Sequence, residues 1–427
     1  MSRVPSWGWM LPVLAACHAV PPWQATVAAD APGRFLVSLD APDAEARAVA
    51  WGSGARVRAV SDHVLLVQPE RAMTLPEART LWQGVPGIRH VEEDRLLRPS
   101  WWGSWRAALR LALPAFRIAI QAVDPLTPEG AGGAGLPGQW AVGALGLEAV
   151  WARTQGRGIK VAVLDTGVDA GHPDLAGNLD AGLNLIEGGG LPPTDDFGHG
   201  THVAGIVGAA LNGRGVVGVA PECRILPIRV LGVEGGTTAA LIEGLDAARR
   251  RGAQVANLSL GSAQISRIEA DEMARAVGQG MIVVAAAGNE ALSGNPIEYP
   301  AALTGVISVA ALGLSGKDAA GAPVMVRAAF SNHNPFNAVA APGVDILSTV
   351  PLALFPDATA VGAGYAYASG TSMASPLVAG VAALMLARGL PAAQVRYRLQ
   401  ETARDLGAPG PDDLHGAGLV QPAVAVP

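Results

Sequence analysis

The sequence predicts an α/β fold: a mainly parallel sheet with helices on both faces, preceded by a small α+β domain. From about residue 139 onward, continuous apolar runs of strand length are spaced by helical segments, the pattern of strands buried on both faces. Between Arg34 and Pro99 shorter β-like runs alternate with two helix-like stretches. At 427 residues and 50% hydrophobic, the chain can bury a large core and is long enough for two or three domains.

The first element is a targeting segment over residues 1 to 29. Arg3 precedes a short apolar run from Val4 to Ala16, which suits a signal peptide and is too short to span a bilayer. Two processing signals follow. Leu14-Ala15-Ala16-Cys17 resembles the lipobox of bacterial lipoproteins, with the signal ending at Ala16 and a lipid anchor at Cys17; Val27-Ala28-Ala29 instead offers small residues at −3 and −1. Export is expected either way, secreted or tethered to the bacterial envelope.

Residues 31 to 99 form the α+β unit. Phe35–Leu39 and His63–Val67 read as strands, Ala44–Trp51 and Leu75–Trp82 as helices, and Val85 to Asp94 closes the unit with a Val-Glu-Glu-Asp run. Residues 100 to 137 carry Trp101, Trp102 and Trp105 with Arg106, Arg110 and Arg117, then a Gly/Pro-rich linker. Three arginines argue against a transmembrane helix there; packing on the following domain is expected, with a basic aromatic-rich segment resting on a membrane surface or a processing site as the alternatives.

In residues 138 to 427, strands are expected at Ile159–Leu164, Arg224–Val230, Val255–Leu260, Ile282–Ala287 and Val306–Ala311. Helices are expected at Thr201–Leu211, Thr237–Arg251 and Arg267–Gly278. The uncharged stretch Ala358–Ala387 is long enough for a membrane span, but its glycines, serines and Pro376 predict a buried strand, turn and helix. Only Cys17 and Cys223 are present, so no disulfide framework holds the fold. A net charge of -6 gives no reason to expect nucleic acid as a partner.

Three motifs carry chemistry: Val161-Ala162-Val163-Leu164-Asp165-Thr166-Gly167, Gly198-His199-Gly200-Thr201-His202, and Gly370-Thr371-Ser372-Met373-Ala374-Ser375-Pro376. A serine hydroxyl becomes a nucleophile when a neutral imidazole takes its proton, and a carboxylate fixes that imidazole's tautomer and offsets its developing charge. The three residue types point to acyl transfer, and the order Asp, His, Ser selects one scaffold among several unrelated ones. From about Gln139 to Val420 the chain resembles the subtilisin-like serine proteases.

The resemblance implies a serine endopeptidase in which Asp165 orients His199, the general base, and Ser372 is the nucleophile. The side chain of Asn289 would be the second oxyanion donor, beside Gly288. His202, three residues after His199, would be structural. Gly235-Gly236-Thr237 and Ser259-Leu260-Gly261 match the two edges between which a polypeptide substrate inserts as an extra strand. Residues 31 to 99 look like an inhibitor-type propeptide, so the chain's own N-terminal segment is expected to template folding and then plug the cleft of a self-processing zymogen.

Two departures from the family pattern stand out. Glu298 occupies a position near the pocket floor that relatives often fill with a small or neutral residue, which predicts a preference for cleaving after Arg or Lys. His172-Pro173-Asp174 and the loop around Asn212 resemble the family's calcium site, with Asp174 and Asn212 as ligands, yet few carboxylates converge and Arg214 stands in the loop. No cofactor is required for the chemistry; calcium is expected only as a structural ion. A rival triad of Ser372, Asp405 and His415 in esterase order leaves the two upstream motifs unexplained. A catalytically silent binding protein would leave the four filled chemical positions unexplained.

Overall fold

A computed structural model describes residues 33–40, 55–99, 138–186, 191–232, 235–317, 323–356 and 363–427. The targeting segment, the helix expected at Ala44–Trp51 and the whole Trp/Arg-rich insertion of residues 100 to 137 lie outside the described residues.

The N-terminal unit is an antiparallel sheet of β1 (Phe35–Leu39), β2 (Arg56–Ala59), β3 (Val64–Gln68) and β4 (Ile88–Glu93), in the order β2-β3-β1-β4, with α1 (Leu75–Trp82) packed on it. Thr74 and Glu77 close a capping box at the start of α1. All five residues of β1 are buried, because both of its faces are covered. Phe35, Val37 and Leu39 point into the unit's own core with Trp82 and Val91, while Leu36 meets Ala239, Ile242 and Ile268 of the larger domain. The sequence did not mark β2, whose Arg-Val-Arg-Ala is mostly exposed.

The chain then runs through β5 (Leu96–Pro99) into the larger domain. There β6 (Lys160–Asp165), β7 (Leu183–Asn184), α2 (His199–Gly208), β8 (Arg224–Arg229), β9 (Leu231–Gly232), β10 (Gly235–Thr237) and α3 (Thr238–Arg250) follow in order. Next come β11 (Val255–Leu258), β12 (Leu260–Gly261), α4 (Arg267–Gly278), β13 (Ile282–Ala286), β14 (Ile307–Lys317), β15 (Pro323–Arg327) and β16 (Asn337–Pro342). The hairpin β17 (Ile346–Thr349) and β18 (Tyr365–Ala368) leads to α5 (Thr371–Ala387) and α6 (Ala392–Glu401). The main sheet has the order β15-β14-β13-β11-β6-β8-β7, with β16 also on β14. Only the β14–β15 pair in it is antiparallel.

Alternation along β6 shows how the layers form. Val161 and Val163 face a core that contains Val203 and Val207 of α2 and Val378 of α5; Ala162 and Leu164 face one that contains Leu241 of α3 and Met273 of α4. Both faces of the sheet are therefore covered by helices, as the unbroken apolar runs predict. The strand lies between β8 and β11, reached by connections on opposite sides, so its carboxyl end opens at a topological switch point. Asp165 stands at that end. The stretch read as strand, turn and helix is β18 and α5, and no described helix is long and apolar enough to cross a membrane.

Candidate active site

Asp165 is fully buried, and its Oδ1 accepts the backbone N–H of Thr166 at 2.7 Å. The same oxygen lies 2.7 Å from Nδ1 of His199, the first residue of α2. A carboxylate there holds the proton on Nδ1 and leaves Nε2 as the basic nitrogen. The close fit depends on glycine: a Cβ at Gly200 would lie 2.1 Å from the carbonyl oxygen of Gly167.

Ser372 is the second residue of α5, which packs against α2. Its Oγ lies 3.5 Å from the carbonyl oxygen of Ser259. Pro376 has no N–H to give the carbonyl of Ser372 four residues earlier, and the Ser259 hydroxyl donates to that carbonyl at 3.0 Å instead. The proline that would weaken an isolated helix is thus compensated by the neighbouring strand end.

Asn289 follows β13 through Gly288, whose φ is 105°. Its side-chain oxygen accepts both the N–H of Thr371 at 2.9 Å and the Thr371 hydroxyl at 3.0 Å, so the amide NH2 is turned the other way. A Cβ built on Gly370 would lie 3.3 Å from Asn289 Nδ2 and 3.6 Å from the N of Ser372. Two N–H donors therefore approach one point beside the serine.

The edges Gly235–Thr237 and Leu260–Gly261 are β10 and β12, and the gap between them is filled by β5. All the pairings are antiparallel: Leu96 with Thr237, Leu97 with Gly236, Arg98 with Gly261 and Pro99 with Leu260. Leu97 is buried in the core that holds Leu231, Leu241 and Leu260. The acidic run just before β5 explains its own sequence. Glu92 accepts the Ser266 hydroxyl at 2.7 Å and the N–H of Arg267 at 3.1 Å at the start of α4. Asp94 takes the N–H of Ala239 at 2.8 Å in the first turn of α3 and pairs with Arg34. Two carboxylates thus sit at two helix N-termini, where the backbone dipoles favour negative charge.

Residues 156–418 match the model of the Subtilase family. The chain belongs to that family. It is 40% identical over 275 residues to Subtilisin BL of Lederbergia lenta, covering 63% of this chain and 91% of the relative. Subtilisin DY of Bacillus licheniformis is 41% identical over 271 residues, covering 62% and 90%. Fervidolysin from Fervidobacterium pennivorans, described as a keratinolytic enzyme related to subtilisin, superposes with a TM-score of 0.74 at 28% identity over 92% of this chain. This chain spans 60% of that structure's length. The protein is a subtilisin-like serine endopeptidase, acting on polypeptides.

In this subtilase Glu298 is 8% exposed and lies against Gly261 of β12. A Cβ on Gly261 would be 2.8 Å from its Oε2, and one on Gly288 would be 2.7 Å from its Cγ. A second carboxyl, missed in the sequence reading, stands next to it. Glu290 Oε2 accepts the N–H of Asn289 at 2.7 Å and the amide of Asn332 at 3.2 Å. Burial pushes Glu298 up to about 8, and the charge of Glu290 adds to the effect. Burial also raises Glu290. The signal that could have exposed Glu290 was its position directly after Asn289.

The residues expected to hold calcium do not fit a cation, which corrects the expectation for Asp174 and Asn212. Asp174 is fully buried, with Oδ1 accepting the Asn212 amide at 3.0 Å and Oδ2 accepting the Val216 N–H and the Tyr365 hydroxyl, each at 2.9 Å. Arg214 Nε lies 3.9 Å from Oδ1. A Cβ on Gly215 would fall 1.9 Å from Oδ2, so the loop itself fills the space an ion needs. Hydrogen-bond donors surround this carboxylate where calcium requires oxygens. Among the described residues, no group of three or more His, Cys, Asp or Glu could hold a metal ion.

His202 points away from the Asp165 pair. Its Nε2 contacts the carbonyls of Ile346 at 3.1 Å and Ala366 at 3.0 Å, and burial lowers its pKa to about 4. The rival esterase set is not assembled: His415 faces Asp412, while Asp405 accepts the N–H of Gly410.

Proposed function

We propose that this endopeptidase is an exported, self-processing zymogen working through Asp165, His199 and Ser372. His199 Nε2 takes the proton of the Ser372 hydroxyl as its oxygen attacks the scissile carbonyl carbon. Asp165, holding Nδ1, stabilises the imidazolium that results. The Asn289 side chain and the Ser372 N–H meet the oxyanion, and the proton passes to the leaving amine as the acyl-enzyme forms. Water, deprotonated by the same imidazole, then releases the acid and restores Ser372.

The observation that supports this reading is β5 lying between β10 and β12, as a bound polypeptide strand would, with its Pro99 paired to Leu260, next to Ser259, whose carbonyl oxygen is 3.5 Å from Ser372 Oγ. Residues 31 to 99 act as the propeptide: their Glu92 and Asp94 grip α4 and α3, and Leu97 anchors the plug. Residues 1 to 29 direct export, with lipidation at Cys17 tethering the enzyme. Glu298, buried beside the substrate edge with Glu290, draws Arg or Lys to the cleaved position.

Labelling with a fluorophosphonate and N-terminal sequencing of the purified mature protein test the scheme together. Wild type is expected to label at Ser372 and to lose its first domain, whereas Ser372→Ala neither labels nor processes. A processed Ser372→Ala protein overturns self-processing. An unlabelled wild type overturns the assignment of the nucleophile.

A further inference from the structure

Beside the Asp165–His199 pair lies a second buried carboxylate, one that the sequence motifs do not single out. Asp195 is 3% exposed and four residues before His199. Five donors converge on it. Oδ1 accepts the Thr166 hydroxyl at 2.9 Å, the N–H of Phe197 at 3.0 Å and that of Gly198 at 2.7 Å; Oδ2 accepts the N–H and hydroxyl of Thr201 at 2.8 and 2.6 Å. Both threonine hydroxyls have their acceptor sides occupied, Thr166 by the N–H of Gly200 at 2.8 Å and Thr201 by the N–H of Asp169 at 3.0 Å. Their protons are therefore free to face the Asp195 carboxylate. Burial alone raises the pKa of this group and favours its neutral form. A carboxyl proton, however, would displace one of five donors with no acceptor to receive it.

The bonds tie together the two pieces of chain that must meet. Thr166, held by Asp195 through its hydroxyl, gives its N–H to the same Asp165 oxygen that faces His199. Gly198 and Thr201, also held by Asp195, flank His199 on the first turn of α2. The segment before Asp195 is pressed on the strand end as well: a Cβ at Gly167 would lie 2.4 Å from the carbonyl oxygen of Pro193.

We infer that Asp195 is a positioning residue for the peptidase reaction, fixing the Asp165 carboxylate against the His199 ring by bracing Thr166 and the start of α2 at once. The inference rests on the proposed roles of Asp165 and His199. Its effect is on turnover, because misplacement of a base by a fraction of an ångström weakens proton transfer more than substrate binding.

The test compares Asp195→Asn, Thr166→Val and Asp165→Asn in the full chain, with kcat expressed per site titrated by a fluorophosphonate. Asp195→Asn and Thr166→Val are expected to lower kcat on the order of tenfold or more with KM nearly unchanged. The far-downfield proton resonance of the Nδ1 hydrogen bond is expected to weaken or shift upfield in both. A lower melting temperature with wild-type kcat per titrated site and an unchanged resonance reduces Asp195 to a structural cap and overturns the inference. If Asp195→Asn does not fold, Thr166→Val decides alone, since it removes only the bridging hydroxyl. Wild-type turnover in Asp165→Asn would instead overturn the underlying triad.

Discussion

Replacing Glu298 by Gln tests the proposed preference for Arg or Lys at the cleaved position. A guanidinium about 4 Å from an ionised carboxylate at an effective dielectric near 20 gains about 4 kcal/mol, part of which is lost in desolvating both ions. A net loss of about 1.4–2.7 kcal/mol in Glu298→Gln lowers kcat/KM for Arg about 10- to 100-fold. The raised pKa adds a second signature. With a midpoint of about 8, roughly a tenth of the empty pockets carry the Glu298 charge at pH 7 and nine-tenths at pH 9. The ratio of kcat/KM for paired peptides with Arg or citrulline at the cleaved position should rise about tenfold across that interval. Ionisation of the catalytic groups cancels in the ratio. The sign of the stability effect also follows: an acid raised from 4.5 to about 8 on folding costs nothing below 4.5, costs progressively more up to 8, and a constant amount above. Glu298→Gln should therefore raise the melting temperature at pH 9 relative to wild type and less so at pH 5. A ratio flat with pH in wild type, or a preference for Arg that survives Glu298→Gln, refutes the reasoning.

Asn289→Ala should lower kcat by about a hundredfold to a thousandfold with little change in KM, measured in steady state with a short peptide amide. Adding a chelator or calcium to the full protein should leave its melting temperature unchanged, whereas an ion bound at a hundredfold its Kd would add about 2.7 kcal/mol. Leu97→Ala removes a buried side chain worth about 2–5 kcal/mol and, if β5 is the proposed plug, should shorten the lag before peptidase activity appears in the purified full-length protein; a wild-type lag removes the plug. The Asp195→Asn experiment completes the set, with turnover per titrated site as its readout.

Local periodicity and motif chemistry made much of the molecule readable before any coordinates. The expected helix Arg267–Gly278 and strand Phe35–Leu39 coincide with α4 and β1, and the other expected elements of the larger domain differ by one to three residues at their ends, except that β14 runs six residues beyond the expected Ala311. The hairpin of β14 and β15 was not legible, because Pro323–Arg327 is short and largely exposed and owes its shape to its partner strand. The three motifs fixed the reaction class for a similar reason: a nucleophile, base and orienting carboxylate need particular residue types in particular local turns. What no local pattern could decide is which distant groups share a cavity. The closure of the Asp174 loop on itself, the Glu290 carboxyl beside Glu298, the insertion of β5 between two edges more than a hundred residues downstream and the bracing of Thr166 by Asp195 all depend on long-range packing. Burial then sets how strongly each of those charges and hydrogen bonds counts, and burial is a property of the folded chain alone.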